Sequence, residues 1–204
     1  MERREALIGL NKIVGSDLRP LADKYEINVF VNGKKHKGWA GHVCERYLGL
    51  PINSSPSPNF GSWELKSISL KHLRDGSLAI KETMAICMID PYHVTRNDFE
   101  HSHLFTKLTK QIIVGRIWLN QAETTTPLFA VKTFDLDDPE IYNQVKADYN
   151  LIRTTIIEQG FSALHGSMGV FIQPRTKGRG HGSTSRAFYA RASFLKKIFL
   201  DKKD

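Results

Sequence analysis

The chain has 204 residues, of which 41% are hydrophobic and 25% charged, and this composition predicts one folded domain spanning residues 1–204. Its 29 lysines and arginines outnumber the 21 acidic residues, and the formal net charge of +8 favours a polyanionic partner. Nucleic acid, an anionic membrane surface and plain solubility all fit this charge. Its apolar runs are too short to cross a membrane, and its N-terminus lacks the apolar core of a signal peptide. We therefore expect a cytoplasmic protein.

The first part of the chain predicts short helices around one short strand. Apolar residues recur at helical spacing over residues 3–25, where Gly15 and Pro20 mark a break between two shorter helices. A strand is expected over residues 27–31, then a turn at Asn32 and Gly33, and then a helix over residues 36–48. The segment that follows, residues 51–62, is rich in proline and serine and predicts a loop.

The remainder predicts a sheet with helices. β-Branched and aromatic residues indicate strands over residues 63–70, 79–89, 111–119 and 127–134. Asp138 followed by Pro139 is typical of a helix start, and Gly160 of its end. The last part is predicted to contain a strand over residues 169–173, a Gly- and Arg-rich loop over 174–185, an extended segment over 186–191 and a short basic helix. Because strands and helices interleave, the pattern indicates a mixed sheet in an α/β or α+β fold.

Glu64 and Lys66 are the first candidates for chemistry. They share one face of the strand predicted over residues 63–70, because side chains alternate along a strand. A carboxylate and an ammonium group directed at one place can hold a divalent cation and orient a water molecule, or offset charge on a phosphate. The same pattern also fits a plain ion pair on a surface strand, so the neighbouring sequence has to distinguish the two.

Two sequence blocks carry a family resemblance. Glu45, followed by SPNFGSWELK at residues 57–66, resembles the motif of the PD-(D/E)XK nucleases, with Pro58 and Asn59 where proline and aspartate are usual. The block GVFIQPRTKGRGHGSTSRAFYAR at residues 169–191 is similar to the C-terminal DNA-contacting segment of the branch that contains MutH, MvaI and BcnI. Within this branch the chain resembles MvaI most.

The resemblance implies an α/β, restriction-endonuclease-like fold with a mixed central sheet flanked by helices. It also implies a type II restriction enzyme, which is a sequence-specific endonuclease for double-stranded DNA. The chain would then be the whole enzyme or an excised catalytic domain. The implied metal-binding set is Glu45, Asn59 and Glu64, with Lys66 as the catalytic lysine. The implied cofactor is Mg²⁺, for which Mn²⁺ substitutes, whereas Ca²⁺ binds without supporting cleavage.

The same branch implies a monomer that cuts one strand at a time and needs no obligatory protein partner. Two alternatives stay open. The first is a non-catalytic DNA-binding module with the same fold. The second is a mismatch-repair nicking endonuclease that resembles MutH, which predicts nicking at hemimethylated sites and dependence on a protein activator.

Asn59 departs from the family's motif, because an amide offers a cation a neutral oxygen where a carboxylate supplies a negative one. Loss of that charge weakens the site of a hard cation and predicts a lower rate of cleavage. Three interpretations fit: a deliberate exchange of Asp for Asn that traps uncleaved DNA, which we favour; a natural enzyme of weakened activity; and a natural DNA-binding protein that has lost cleavage.

The loop over residues 174–185 and the segment after it indicate nucleic-acid binding. Glycines let a backbone approach phosphates closely, arginine can pair with guanine, and histidine can contact base edges. A solvated basic loop has the same composition. The resemblance implies base contacts for His181 and Arg186, and base or phosphate contacts for other cationic residues of this block. The predicted DNA-binding set is Arg175, Lys177, Arg179, His181, Arg186 and Arg191.

Two further pairs of residues give weaker indications of function. His101 and His103 suggest a metal site, but no third ligand stands near them in the sequence, so a helix start is favoured. Cys44 and Cys87 fall in apolar segments and are expected to be buried thiols without chemistry.

Overall fold

The computed structural model describes residues 1–51, 62–178 and 184–201. Its helices are α1 Arg3–Asn11, α2 Leu18–Lys24, α3 Trp39–Tyr47, α4 Pro91–Arg96, α5 His103–Leu108, α6 Pro139–Gln159 and α7 Ala192–Leu195, with a 3-10 turn at Phe161–Ala163 and a π-helical turn at Lys196–Leu200. Within these described ranges, no helix is both long enough and apolar enough to span a bilayer.

The helix boundaries confirm most of the sequence signals. Gly15, with a φ of 86°, lies between α1 and α2 as predicted, in the left-handed region that favours glycine. The break predicted at Pro20 is wrong, because this proline lies in the first turn of α2, where no helical hydrogen bond is lost. Asp138 caps α6 by accepting hydrogen bonds from the backbone N–H groups of Glu140 and Ile141, and Gly160 ends that helix.

The strands form a hairpin and two larger sheets. In the first large sheet the order is β4-β3-β6-β7, with β3 and β6 parallel and the outer pairs antiparallel. The second is antiparallel, in the order β5-β9-β8. The strands are β1 Phe30–Val31, β2 Lys34–Lys35, β3 Glu64–His72, β4 Leu78–Ile80, β5 Met84–Met88, β6 Lys110–Ile117, β7 Leu128–Asp135, β8 Ile172–Thr176 and β9 Arg186–Ala190.

Three strand predictions need correction. The single strand predicted over residues 79–89 is two strands, β4 and β5, in different sheets, because the polar residues 81–83 carry the chain from one sheet to the other. The strand predicted over residues 27–31 is reduced to β1, although the turn at Asn32 and Gly33 is confirmed by φ values of 51° and 70°. The last predicted loop begins later, because β8 extends through Thr176.

Hydrophobic residues cover both faces of the first sheet. Ile112 and Val114 of β6 face a core built with α1, α2 and α3, whereas Ile113 and Ile117 face the opposite core with α6 and the second sheet. The molecule is therefore a mixed sheet between helical layers, which confirms the predicted α/β fold class. Even-numbered residues of β3, including Ile68, face the second core, and this places Glu64 and Lys66 between the two sheets.

A buried carboxylate fixes the turn that leads into β8. Asp148 of α6 is 2% exposed and accepts hydrogen bonds from the backbone N–H groups of Val170, Phe171 and Ile172 at 2.8, 2.7 and 2.8 Å. From the other side, the guanidinium of Arg191 donates to the carbonyls of Gly166, Met168 and Gly169. The turn is thus held through both its donors and its acceptors.

Asp148→Ala is expected to lower the free energy of unfolding by about 3 kcal/mol or more, because three backbone N–H groups lose a buried, charged acceptor. Urea denaturation at pH 7 measures this loss. Asp138→Ala is the matched control, since that carboxylate is an exposed helix cap worth about 1 kcal/mol. An Asp148→Ala protein no less stable than the control would contradict this account.

Candidate active site

A cleft of about 940 Å³ lies between the two sheets, and the predicted catalytic residues line it. Because β4 pairs with β3 only from Leu70 to His72, the first part of β3 borders this cleft. The opposite wall comes from β5, β8 and β9, and α3 and α5 contribute to the remaining sides. Of the residues predicted from the sequence, the cleft brings together Glu45, Glu64, Lys66, Arg175 and Lys177.

Glu64 and Lys66 form an ion pair at the floor of the cleft. The Lys66 Nζ lies 2.8 Å from Oε1 of Glu64, and their side chains are 17% and 2% exposed. Lys66 also donates a hydrogen bond to the backbone carbonyl of Ile86 at 3.3 Å. Ile86 lies at an irregularity of β5, where the pairing with β9 shifts between Ala85 and Cys87. The second sheet therefore helps to position the ammonium group of Lys66.

Glu45 reaches the same cleft from α3. It is 5% exposed, although Trp39, Val43 and Cys44 of this helix pack into the core with α1 and α2. The structure thus places Glu45 and Glu64, which the sequence separates by a loop, on one cavity. Asn59, the third member of the predicted metal set, lies outside the described residues. The roles of all three remain predictions.

Lys107 is a buried cation that the sequence analysis missed. It lies on α5, is 5% exposed, and its Nζ is 3.1 and 3.0 Å from the two carboxylate oxygens of Glu64. A sequence signal for it existed, because Lys107 follows Leu104 and precedes Leu108 at helical spacing, and all three side chains are buried on one face of α5. A lysine on the apolar face of a helix requires a buried partner.

Other cleft residues add hydrogen-bonding groups. Burial, together with the charges of His36 and Arg46, lowers the pKa of His42, so its imidazole is neutral at pH 7. Cys87 lines the cleft, unlike the fully buried Cys44, and burial raises the pKa of its thiol to about 12. The thiol of Cys87 is therefore protonated near neutral pH.

The predicted DNA-binding residues divide into three groups. Arg175 and Lys177 line the cleft, and Arg175 donates a hydrogen bond to Thr83 at 2.9 Å and lies over the ring of Tyr189. Burial and the neighbouring Lys66 lower the pKa of Lys177. Arg179 and His181 lie outside the described residues.

Arg186 and Arg191 are placed differently from the cleft pair. Arg186 opens β9 and does not belong to the described lining of the cleft. Arg191 is engaged with the three carbonyls of the turn before β8, so its geometry is that of a structural residue. Its predicted contact with DNA stays a prediction.

The histidine pair belongs to a helix start, as favoured. Ser102 caps α5, His101 pairs with Asp98 at 2.6 Å, and His103 stacks on His93 with ring centroids 3.8 Å apart. In the described part of the chain, no group of three or more His, Cys, Asp or Glu side chains is arranged to hold a metal ion. A metal set here would thus need Asn59 or a ligand from DNA beside the two glutamates.

Comparison with known proteins gives the family. The family model described as "MutH: DNA mismatch repair enzyme MutH" matches residues 48–153, more than half of the chain. A protein named DNA mismatch repair protein MutH from Vibrio vulnificus strain YJ016 is 27% identical over 95% of this chain and 91% of its own length. Similar proteins of the same name from Vibrio parahaemolyticus and Haemophilus ducreyi are each 28% identical, over 92% and 98% of this chain and 88% and 95% of their own lengths. The chain therefore belongs to the MutH family of DNA endonucleases, which have the PD-(D/E)XK nuclease fold.

Proposed function

We propose that this protein nicks one strand of double-stranded DNA in mismatch repair, using the cleft between its two sheets. The observation that supports the proposal most directly is the convergence of Glu45, Glu64 and Lys66 on a cleft whose opposite wall carries Arg175 and Lys177. Relatives named mismatch repair proteins, aligned over nearly the whole chain, favour this function over the type II restriction enzyme. The nearer relationship to MvaI stays a prediction.

The donor atoms in the cleft fit a hard divalent cation. Glu45 and Glu64 would supply carboxylate oxygens, the ligands that Mg²⁺ and Mn²⁺ prefer, and Asn59 would add an amide oxygen. When bound there, Mg²⁺ would polarise the scissile phosphate and lower the pKa of a water molecule. Mg²⁺ as the cofactor, with Mn²⁺ as a substitute and Ca²⁺ as a non-catalytic ligand, is part of the proposal.

In the proposed reaction, water attacks the phosphorus atom and the bond from phosphorus to the 3′ oxygen breaks, leaving a 5′-phosphate and a 3′-hydroxyl. Lys66 orients the water and offsets the negative charge that develops on the phosphate oxygens. Its ammonium group is already positioned for this by Glu64 and by the carbonyl of Ile86. Because the ammonium group is held in place before the reaction, little free energy is needed to reorient it in the transition state.

The second sheet is proposed to hold the DNA. Arg175 and Lys177 face the cleft, and the ring of Tyr189 lies beside Arg175. Arg179 and His181, in the loop beyond Lys177, are proposed to contact bases, as is Arg186. Because the carbonyl of Ile86 in this sheet holds Lys66, the element that binds DNA also touches the catalytic lysine.

Asn59 favours a second candidate function, a DNA-binding protein that has lost cleavage. A neutral amide at this position leaves the predicted metal set with two carboxylates, Glu45 and Glu64. This candidate predicts DNA binding without turnover in any divalent metal. The nicking proposal predicts turnover, slower than that of a site with three carboxylates.

The test uses closed circular heteroduplex DNA with one strand from a methylating host and one from a host that does not methylate. With Mg²⁺, the proposed nickase converts closed circles to nicked circles by cutting the unmethylated strand, and a protein activator accelerates this. Circles unmethylated on both strands and circles methylated on both strands are the controls. Direct formation of discrete linear fragments would support the restriction enzyme, and binding without cutting would support the DNA-binding protein.

A further inference from the structure

Glu64 is the residue for which a metal ion and a buried lysine would compete. Both of its oxygens lie within 3.1 Å of the Nζ of Lys107, and Oε1 also pairs with Lys66 at 2.8 Å. With 2% of Glu64 and 5% of Lys107 exposed, this contact is screened little by solvent. Lys107 therefore contacts both oxygens through which Glu64 would bind a cation.

The charges around the cleft make a second argument. In the described lining of the cleft, four carboxylates face five cations: Glu45, Glu64, Glu82 and Asp90 against Lys37, Lys66, Lys107, Arg175 and Lys177. Asn59 adds no charge, so the predicted metal set favours a cation less than a set with a carboxylate at position 59 would. A phosphate group of DNA entering the cleft brings negative charge, which both a divalent cation and a displaced ammonium group can bind.

The side chain of Lys107 can move without the helix that carries it. Lys107 is the last residue but one of α5, and its backbone carbonyl accepts a hydrogen bond from Gln111 Nε2 at 2.9 Å. The helix end is thereby fixed to β6, whereas the four-carbon stem of a lysine has several rotamers. A small rotation of that stem would take the ammonium group from Glu64 towards the open cleft.

We propose that Lys107 competes with a divalent cation for Glu64, and that DNA relieves this competition, so that cation and DNA bind the cleft cooperatively. This inference rests on the proposed nuclease function, because it concerns the same metal set. By thermodynamic linkage, the factor by which DNA tightens cation binding equals the factor by which the cation tightens DNA binding. Lys107 thus keeps the cation's affinity low until a phosphate is in place.

The test measures Mn²⁺ binding directly, by electron paramagnetic resonance of the free ion, with the full chain alone and with a short duplex of mixed sequence. For the unmodified protein we expect duplex DNA to tighten Mn²⁺ binding at least about tenfold, within the usual range of couplings between sites. Lys107→Met should tighten Mn²⁺ binding in the absence of DNA by about tenfold or more and reduce the additional effect of DNA.

Lys81→Met is the matched control, because Lys81 lies over the ring of Trp118, 4.5 Å from its centroid, and outside the described lining of the cleft. Lys107→Gln serves if Lys107→Met does not fold, as judged by circular dichroism. Equal Mn²⁺ affinity with and without DNA in the unmodified protein would overturn the proposal, and so would a folded Lys107 variant that binds Mn²⁺ no more tightly. Since none of these measurements needs cleavage, failure of the nicking proposal would be seen separately.

Discussion

Lys66→Ala is expected to lower the single-turnover rate of DNA nicking about 10³-fold while changing the dissociation constant for DNA less than about tenfold. The loss is large because the ammonium group stabilises charge that is greatest in the transition state, and the effect on ground-state binding is correspondingly small. The fold should persist, since Glu64 keeps its ion pair with Lys107. The rate is measured with Mg²⁺ in the Asn59→Asp protein, and binding with Ca²⁺.

Lys71→Ala is the control for this variant. Lys71 is a lysine of the same strand, but it points to the opposite face and lies outside the described lining of the cleft. It should nick within about threefold of its parent, as expected of a residue that makes at most one phosphate contact. If Lys66→Ala also retained nicking within tenfold, Lys66 would not be the catalytic lysine.

Local sequence signals were sufficient where one residue determines one structural feature. Asp138, Pro139 and Gly160 define both ends of α6 because capping and proline geometry act within a single turn. Likewise, the spacing of Glu64 and Lys66 was enough to place both on one face of β3, since alternation along a strand is a property of the backbone.

Features that depend on distant parts of the chain were not predictable in the same way. The separation of β4 from β5 follows from pairing partners, because β4 adds to β3 whereas β5 adds to β9. Nothing in the local sequence of residues 79–89 identifies those partners. The pairing of Lys107 with Glu64, 43 residues apart in the chain, has the same origin.

The role of Arg191 shows the limit of inferring function from a basic segment. In the sequence, Arg191 is one of several cations in residues 169–191. The family resemblance therefore includes it in the predicted DNA-binding set. In the structure its guanidinium donates to Gly166, Met168 and Gly169 and supports the turn that Asp148 holds from the other side. These hydrogen bonds to backbone carbonyls, which composition does not reveal, give Arg191 a structural role, and its contact with DNA stays a prediction.

Asn59→Asp is expected to raise the Mg²⁺-dependent nicking rate on the order of 10²-fold and to lower the Mg²⁺ concentration needed for half-maximal rate. The added carboxylate gives the predicted metal set a third negative charge, which offsets one of the ammonium groups that surround Glu64. The added charge strengthens cation binding, and a more firmly held cation stabilises the transition state better. The nicking rate and the Mg²⁺ concentration for half-maximal rate should therefore both change. The measurement is a titration of single-turnover nicking against Mg²⁺.

Asn53→Asp is the matched control, since it makes the same chemical exchange in the same proline- and serine-rich segment, six residues from Asn59 and outside the family's motif. Its added charge should change the rate less than about threefold, because it lies outside the motif and adds no ligand to the predicted metal set. An Asn59→Asp protein with the rate and Mg²⁺ dependence of its parent would remove position 59 from the metal set. The cation would then be held by Glu45, Glu64 and the DNA phosphate, without a ligand from position 59. Cation affinity would therefore depend more on bound DNA, and competition from Lys107 for Glu64 would lower it more.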